Sequence, residues 1–368
     1  MNLVSQLPAA AVDLATFHVR DILTLALAHD YIVPGGNARS AVIVSDARSP
    51  LSVALAEAYL RALPGAAYLD FDSLPQAAIL AAFATLVPGD LVVLIQSTNF
   101  RLEAFRIRVE LFKRGLKVIE HPHLERMQGP EALLYIDALA YDPAYYRGVG
   151  HALRDRIDAA GICIIESARA TGPSAPRSEP AVLTFTGPFE PAKLNVGDYA
   201  GMQNVGGQYP IGEVFTEARD HEAVNGRARI FVFADADFMV NRPPSPITIV
   251  IEKGRIAAAI DSTPEFERVL ANIRADEGEV WVRELGFGMN RAFSPDRIVR
   301  DIGTLERMCG IHLSLGAKHA VYKKPAFNRR EARHHVDVFV ATNRVWLDEG
   351  EVFRAGGWTV TNGPSTDV

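Results

Sequence analysis

The chain has 368 residues, of which 48% are hydrophobic and 22% charged, and a formal net charge of −6. That length exceeds what one hydrophobic core usually holds, so two domains are expected, with the composition of an ordinary soluble globular protein. A net negative charge argues against a surface that tracks phosphates, which excludes nucleic acid as an expected partner.

The N-terminal stretch MNLVSQLPAAAVDLATFHVRDILTLALAHD is interrupted by Asp13, His18, Arg20 and Asp21, so it reads as an amphipathic helix rather than a secretion signal. No apolar run reaches about 18 residues, so no membrane contact is expected and the location reads as cytoplasmic. SAVIVSD (40–46) reads as a buried strand, SPLSVALAEAYLRAL (49–63) as a helix, AAYLDF as a strand and LPQAAILAAFATL (74–86) as a helix. GDLVVLIQST (89–98), RLEAFRIRVELFKRG (101–115) and LKVIEH (116–121) continue the alternation as strand, helix and strand. Strand and helix at this spacing predict a parallel sheet covered on both faces. A helix after Met127 and the strand GICIIES (161–167) are expected to extend it.

Residues 168–181, rich in Pro, Ser and Gly, read as a linker, giving an α/β domain over 1–180 and a β-rich α+β domain over 181–368. In the second domain VLTFTG, ARIFVFAD, ITIVIEKGRIAAAI, EVWVREL, GIHLSLG, HVDVFVAT and RVWLDEGEVFRAG read as short strands, with EKGR and DEGE as hairpin tips. TPEFERVLANIRAD (263–276) reads as a helix. The cysteines, Cys163 and Cys309, are too few for a disulfide framework and read as buried, reduced thiols.

Four segments of this domain set carboxylates and histidines inside apolar strands, which is costly unless each is paired or bound to a cation. Glu213 lies between Gly212 and Val214; Val280, Val282 and Glu284 are expected on one strand face; His312 alternates with Ile311 and Leu313. His335 and Asp337 are two apart, so both point to one side of a strand, a compact arm for a metal. A mixed nitrogen and oxygen shell of this kind suits Zn, Mn, Co or Fe, as one or two divalent ions, better than Ca or a thiolate site.

GEVFT, ELGFGMN, GIHLSLG and H-x-D occur in the order of the signature segments of the thermophilic metallo-aminopeptidases of the aminopeptidase T and S type, which the chain resembles over roughly 206–368. The resemblance implies that Glu213, as a bridge between two metals, Glu284, His312, His335 and Asp337 are ligands, that a tyrosine assists catalysis, with Tyr322 the nearest match, and that Glu306 matches an acidic residue preceding the histidine. It also implies a homodimer. In a hydrolytic site Glu284 or Glu306 would be the general base, and Tyr322 or a lysine would stabilise the oxyanion of a peptide substrate. The superfamily also includes ring-cleaving dihydroxypyridine dioxygenases, which implies the alternative of a single Fe(II) acting on a small molecule. Crocagin-type precursor-peptide-binding proteins of natural-product assembly give a third reading, binding without turnover.

The chain departs from the aminopeptidase pattern between its last two segments. AKHAVYKKPAFNRREARH carries Lys318, Lys323, Lys324, Arg329, Arg330 and Arg333, expected as a solvated loop, with a substrate channel as the alternative. In the first domain Ser97 or Asn99 is expected to cap the following helix. Arg101, Arg106 and Arg108 are expected solvated or ion-paired, with an anion clamp as the alternative, and His121 and His123 are weak candidates for a cleft.

Overall fold

A computed structural model describes residues 6–29, 39–100, 102, 107–168, 181–235, 237–319, 321–325, 327 and 330–360. The chain divides into two compact units, Met1–Tyr146 with Gly197–Ile211 and Arg147–Val196 with Gly212–Val368.

The first unit is built on a parallel sheet of β1 (Ala41–Ser45), β2 (Ala67–Asp70), β3 (Leu91–Ile95) and β4 (Lys117–His121), in the order β2-β1-β3-β4, with β8 (Gly206–Gln208) added beside β4. β1 and β3 are buried at every position, as unbroken apolar runs between helices should be. The helices are α1 (Ala9–Asp21), α2 (Pro50–Ala62), α3 (Gln76–Ala84), α4 (Ile107–Lys113) and α5 (Pro130–Ala138), and α1 packs on α2 and α5. α2 starts where Ser49 and Ser52 exchange side-chain and backbone hydrogen bonds, with Pro50 in the first turn.

Several first-domain expectations resolve here. Ser97 does not cap a helix; its hydroxyl and N–H donate to the Asp46 carboxylate at 2.5 and 2.8 Å, tying the end of β3 to the end of β1. Asn99 Nδ2 lies 3.0 Å from His123 Nε2. Arg108 pairs with Glu120 at 2.6 Å, while Arg101 and Arg106 lie outside the described residues, as does most of the linker. His121 is fully buried, with the hydroxyls of Tyr59 and Tyr135 each 2.8 Å from a ring nitrogen, and burial pushes its pKa down to about 3. It is a satisfied core histidine rather than a ligand.

The second unit holds most of α6 (Pro143–Ala159) and one large antiparallel sheet. Its strands are β5 (Ile162–Ser167), β6 (Val182–Thr186), β7 (Lys193–Asn195), β9 (Glu213–Glu217), β10 (Val224–Ala234), β11 (Val240–Asn241), β12 (Ile247–Glu252), β13 (Arg255–Ile260), β14 (Val282–Gly288), β15 (Gly310–Leu315), β16 (Val336–Val340), β17 (Thr342–Leu347), β18 (Gly350–Arg354) and β19 (Gly357–Trp358). The order is β19-β18-β17-β5-β6-β10-β16-β15-β14-β9-β7, with β12 on β10 and β13 on β12. EKGR turns β12 into β13 with Lys253 and Gly254 both at positive φ, and DEGE turns β17 into β18. α7 (Pro264–Glu277) is capped by Thr263, whose hydroxyl accepts from the Phe266 N–H, and α8 (Ile302–Leu305) is one short turn.

β5 overturns an expectation. It does not extend the parallel sheet but pairs antiparallel with β6 and β17. Its burial alternates along the strand, the mark of an antiparallel strand with one covered face, although GICII looks uniformly apolar in sequence. The fifth parallel position is taken by β8, whose Gly-Gly-Gln carries none of the usual strand residues. Cys163 is fully buried, whereas Cys309 is only half-buried.

Candidate metal centre

Register brings the expected ligands to one face. Gly288 of β14 pairs with Glu213, and Gly286 pairs with Phe215 on one side and His312 on the other. Ser314, two beyond His312, pairs with Asp337, and His335 immediately precedes β16 on the same face as Asp337. Glu213, Glu284, His312, His335 and Asp337 therefore share one side of the β9-β14-β15-β16 segment.

The expected face sharing of Val282 with Glu284 does not hold. Val282 pairs with Leu315, and Leu285, three residues on, pairs with Leu313, so an extra residue sits in β14. This bulge turns Val282 to the face of Leu285, whereas Glu284 keeps the face of Gly286, the one that carries His312.

The donors converge closely. Ligand atoms of Glu213, Glu284 and His312 lie within 4.8 Å of one another, as do those of Glu284, His335 and Asp337. His312 Nε2 is 3.3 Å from Glu213 Oε1 and 3.4 Å from Glu284 Oε1. Neither nitrogen of this buried ring makes a hydrogen bond, and Asp337 Oδ1 is buried without one. Buried polar atoms left this way cost about 1–3 kcal/mol each, so the cluster fits a cation better than an empty pocket. His335 Nδ1 lies 3.1 Å from the Lys318 carbonyl, which can only accept, so Nδ1 donates and Nε2 turns its lone pair toward the site. That lone pair faces Asp337 Oδ1 at 3.2 Å, a repulsive pairing unless a cation or a proton lies between them.

The electrostatics fit the same conclusion. Burial opposes charge on His312 and His335, but the facing carboxylates win: His312 is held well above the usual imidazole range and His335 is pushed up to about 10 by Asp337. Burial likewise opposes ionisation of Glu284, yet the imidazoles of His312, His319 and His335 facing it hold it well below the usual carboxylate range. Protons here do what a divalent ion would do, neutralising clustered carboxylates.

Glu306 ion-pairs with Arg307, whose guanidinium is also 3.6 Å from Glu213 Oε2. Burial, with the nearby charges of Asp337 and Glu213, raises Glu306 well above the usual carboxylate range despite Arg307. Tyr322 lies beside the cluster, but its hydroxyl donates to the Pro191 and Phe215 carbonyls at 2.8 and 3.2 Å, and burial raises its pKa. Of the basic segment, Lys324 is 2.6 Å from Glu190 and bound to two carbonyls, Lys318 and Lys323 are exposed, and Arg329 lies outside the described residues.

Two groups escaped the sequence reading. His319, seven residues beyond His312 in the basic segment, places Nε2 2.5 Å from Glu284 Oε2. Arg283, in the bulge, forms a fully buried ion pair with Glu217 at 2.9 and 3.1 Å. The only sequence signal for His319 was a histidine among lysines and arginines.

No family model matches the chain, and no curated protein matches it by sequence. Among solved structures, it is similar to 2,5-dihydroxypyridine dioxygenase from Pseudomonas putida, with a TM-score of 0.62, 16% identity, and coverage of 97% of this chain and 99% of that one. It is also similar to AmpT from Thermus thermophilus, with a TM-score of 0.52, 14% identity, and coverage of 94% and 99%. At this identity the likeness is one of fold alone, with a parallel α/β part and a large antiparallel sheet.

Proposed function

We propose that the chain is a metal-dependent hydrolase of the aminopeptidase type, acting on a peptide or amide. The observation that carries this reading is that two groups of three donors, Glu213–Glu284–His312 and Glu284–His335–Asp337, have Glu284 in common. A carboxylate shared by two such groups suits a pair of ions, with Glu284 rather than Glu213 as the common ligand. A single Fe(II) needs one group and leaves the other uncompensated. When bound, divalent metal supplies a water acidified to a pKa of about 7 and a Lewis acid for the scissile carbonyl.

The chain's own groups complement this. Glu284, held ionised, stays a ligand throughout. Burial and the facing carboxylates of Asp337 and Glu213 raise the Glu306 carboxyl, against the pull of Arg307, which is the direction that suits a general acid at the leaving amine. Tyr322, with its hydroxyl committed to two carbonyls, serves the site through its ring and its N–H.

A second reading, a ring-cleaving dioxygenase, is favoured by the higher structural similarity to that enzyme. Metal analysis of protein purified without chelator separates the two, together with release of N-terminal residues from short peptides and oxygen uptake with a dihydroxypyridine. Two equivalents of Zn, Mn or Co with peptide cleavage support the hydrolase. One equivalent of iron with oxygen-dependent ring opening refutes it in favour of the dioxygenase. Protein that takes up no metal sinks both and leaves precursor-peptide binding.

A further inference from the structure

We propose that His319 is the positioning residue that fixes the Glu284 carboxylate, and that Ala317, Val321 and Tyr322 on either side of it are held so as to orient its ring. The proposal rests on the metal-site reading above and adds to it a residue outside both ligand groups.

The hydrogen bonding sets the tautomer. His319 Nδ1 accepts the backbone N–H groups of Val321 and Tyr322, each at 3.2 Å, so Nδ1 carries the lone pair and Nε2 carries the hydrogen. The hydrogen on Nε2 is therefore directed at Glu284 Oε2, 2.5 Å away. With Oε2 engaged, Oε1 is the oxygen left facing His312 Nε2 at 3.4 Å. A carboxylate with one oxygen tethered loses the freedom to rotate that a shared ligand must not have.

These flanking residues are held in turn. Arg283 donates to the Ala317 carbonyl at 2.5 Å and lies 3.4 Å from the Tyr322 carbonyl, so one guanidinium engages residues on both sides of His319. Glu217 binds that guanidinium with both oxygens, and Arg283 also stacks over Phe327, 4.1 Å from the ring centroid. Arg283 and Glu217 are 2% and 0% exposed, so solvent does not compete for these bonds. The Tyr322 ring stacks on the imidazole at 5.3 Å and 19°, and its hydroxyl anchors on Pro191 and Phe215. The Arg283–Glu217 pair thus connects the β14 bulge to the loop that orients the bulge's own glutamate.

Three variants of the full chain and the metal alone provide the test. His319→Phe keeps ring volume and the stack on Tyr322 but removes both nitrogens. His319→Gln restores a donor near the Nε2 position, and Tyr322→Phe loosens that hold and leaves His319 in place. Co(II) affinity by chelator competition and the cobalt d–d spectrum are read beside metal-free melting temperatures. The expected result is an affinity loss of about 10–100-fold with an altered spectrum in His319→Phe, substantial recovery in His319→Gln, and an intermediate loss in Tyr322→Phe. Wild-type affinity and spectrum in a folded His319→Phe variant overturn the proposal and leave the metal site standing. If His319→Phe fails to fold, a His319→Gln variant that folds but binds as weakly as a ligand-deleted chain overturns it. A wild-type chain that takes up no Co(II) overturns the metal reading itself and this proposal with it.

Discussion

Replacing Gly286 by alanine is a one-methyl perturbation of the metal face. An alanine Cβ at this position would lie 2.1 Å from both Cε1 and Nε2 of His312 and 2.7 Å from Cδ2, where ordinary contact begins at 3.4 Å. Gly286 is not among the glycines at positive φ, so alanine brings no backbone strain and the whole cost falls on the imidazole above it. That ring is 1% exposed and walled by Glu213, Glu284 and Phe339, so it has nowhere to go without surrendering its place between the two glutamates. Overpacking of this kind costs about 1–3 kcal/mol, which for a unit this size lowers the melting temperature by about 2–12 °C. Metal ligands tolerate displacements of only about 0.2 Å, so His312 is lost as a donor as well. Differential scanning calorimetry of the metal-free protein and Co(II) titration measure the two effects separately. Gly148→Ala, where nothing lies within 4 Å of the added methyl, is the control. A Gly286→Ala variant with wild-type melting and wild-type affinity would refute the placement of His312.

Other outcomes follow from the same face. His335→Ala abolishes metal retention, and full occupancy in that variant, measured by elemental analysis, contradicts the H-x-D arm. His335, raised to about 10 against Asp337, stabilises the metal-free fold fully below its unfolded value near 6.5, and that stability is lost as pH rises through about 10. Metal-free melting temperature should therefore fall across that window, less so in His335→Ala, while Co(II) binding tightens as the competing proton leaves; equal slopes in the two proteins count against it. Glu217→Gln leaves Arg283 buried and short of its counter-charge, a loss of about 3–5 kcal/mol by urea denaturation. Pairing it with Arg283→Met should recover part of that loss, and additive destabilisation in the double variant would mean the two do not interact.

How much of this was legible in the sequence depends on what kind of information each feature carries. β1 and β3 are unbroken apolar runs and α2 carries its own cap, so the alternating elements of the first domain could be read locally, nearly to the residue. The hairpins at Lys253–Gly254 and Asp348 carry turn chemistry. The five candidate ligands could also be singled out, because charge inside a strand is anomalous without a partner. β5 and β8 were not: a solid apolar run is compatible with either kind of sheet, and Gly-Gly-Gln announces no strand at all. Those assignments depend on which edge remains for a strand to pair with, and pairing is decided by the rest of the chain.

The misreading of Val282 has a different origin, and it bears on how the site is built. Strict alternation from Gly286, which pairs with His312, puts Glu284 on the His312 side, but it would put Val282 there too and Arg283 on the opposite side. The extra residue in β14 turns Val282 away and brings Arg283 to the side of Glu284, where it grips Ala317 and Glu217, the residue paired with Glu284. One local irregularity thus places the charged group that anchors the loop whose histidine steadies Glu284. Deleting Arg283, and the bulge with it, should therefore lower metal affinity at least as much as removing His319, because the histidine loses its anchor while Glu284 keeps its side. If the deletion leaves Co(II) affinity at the wild-type value in a folded protein, the bulge does not act on the site through that loop.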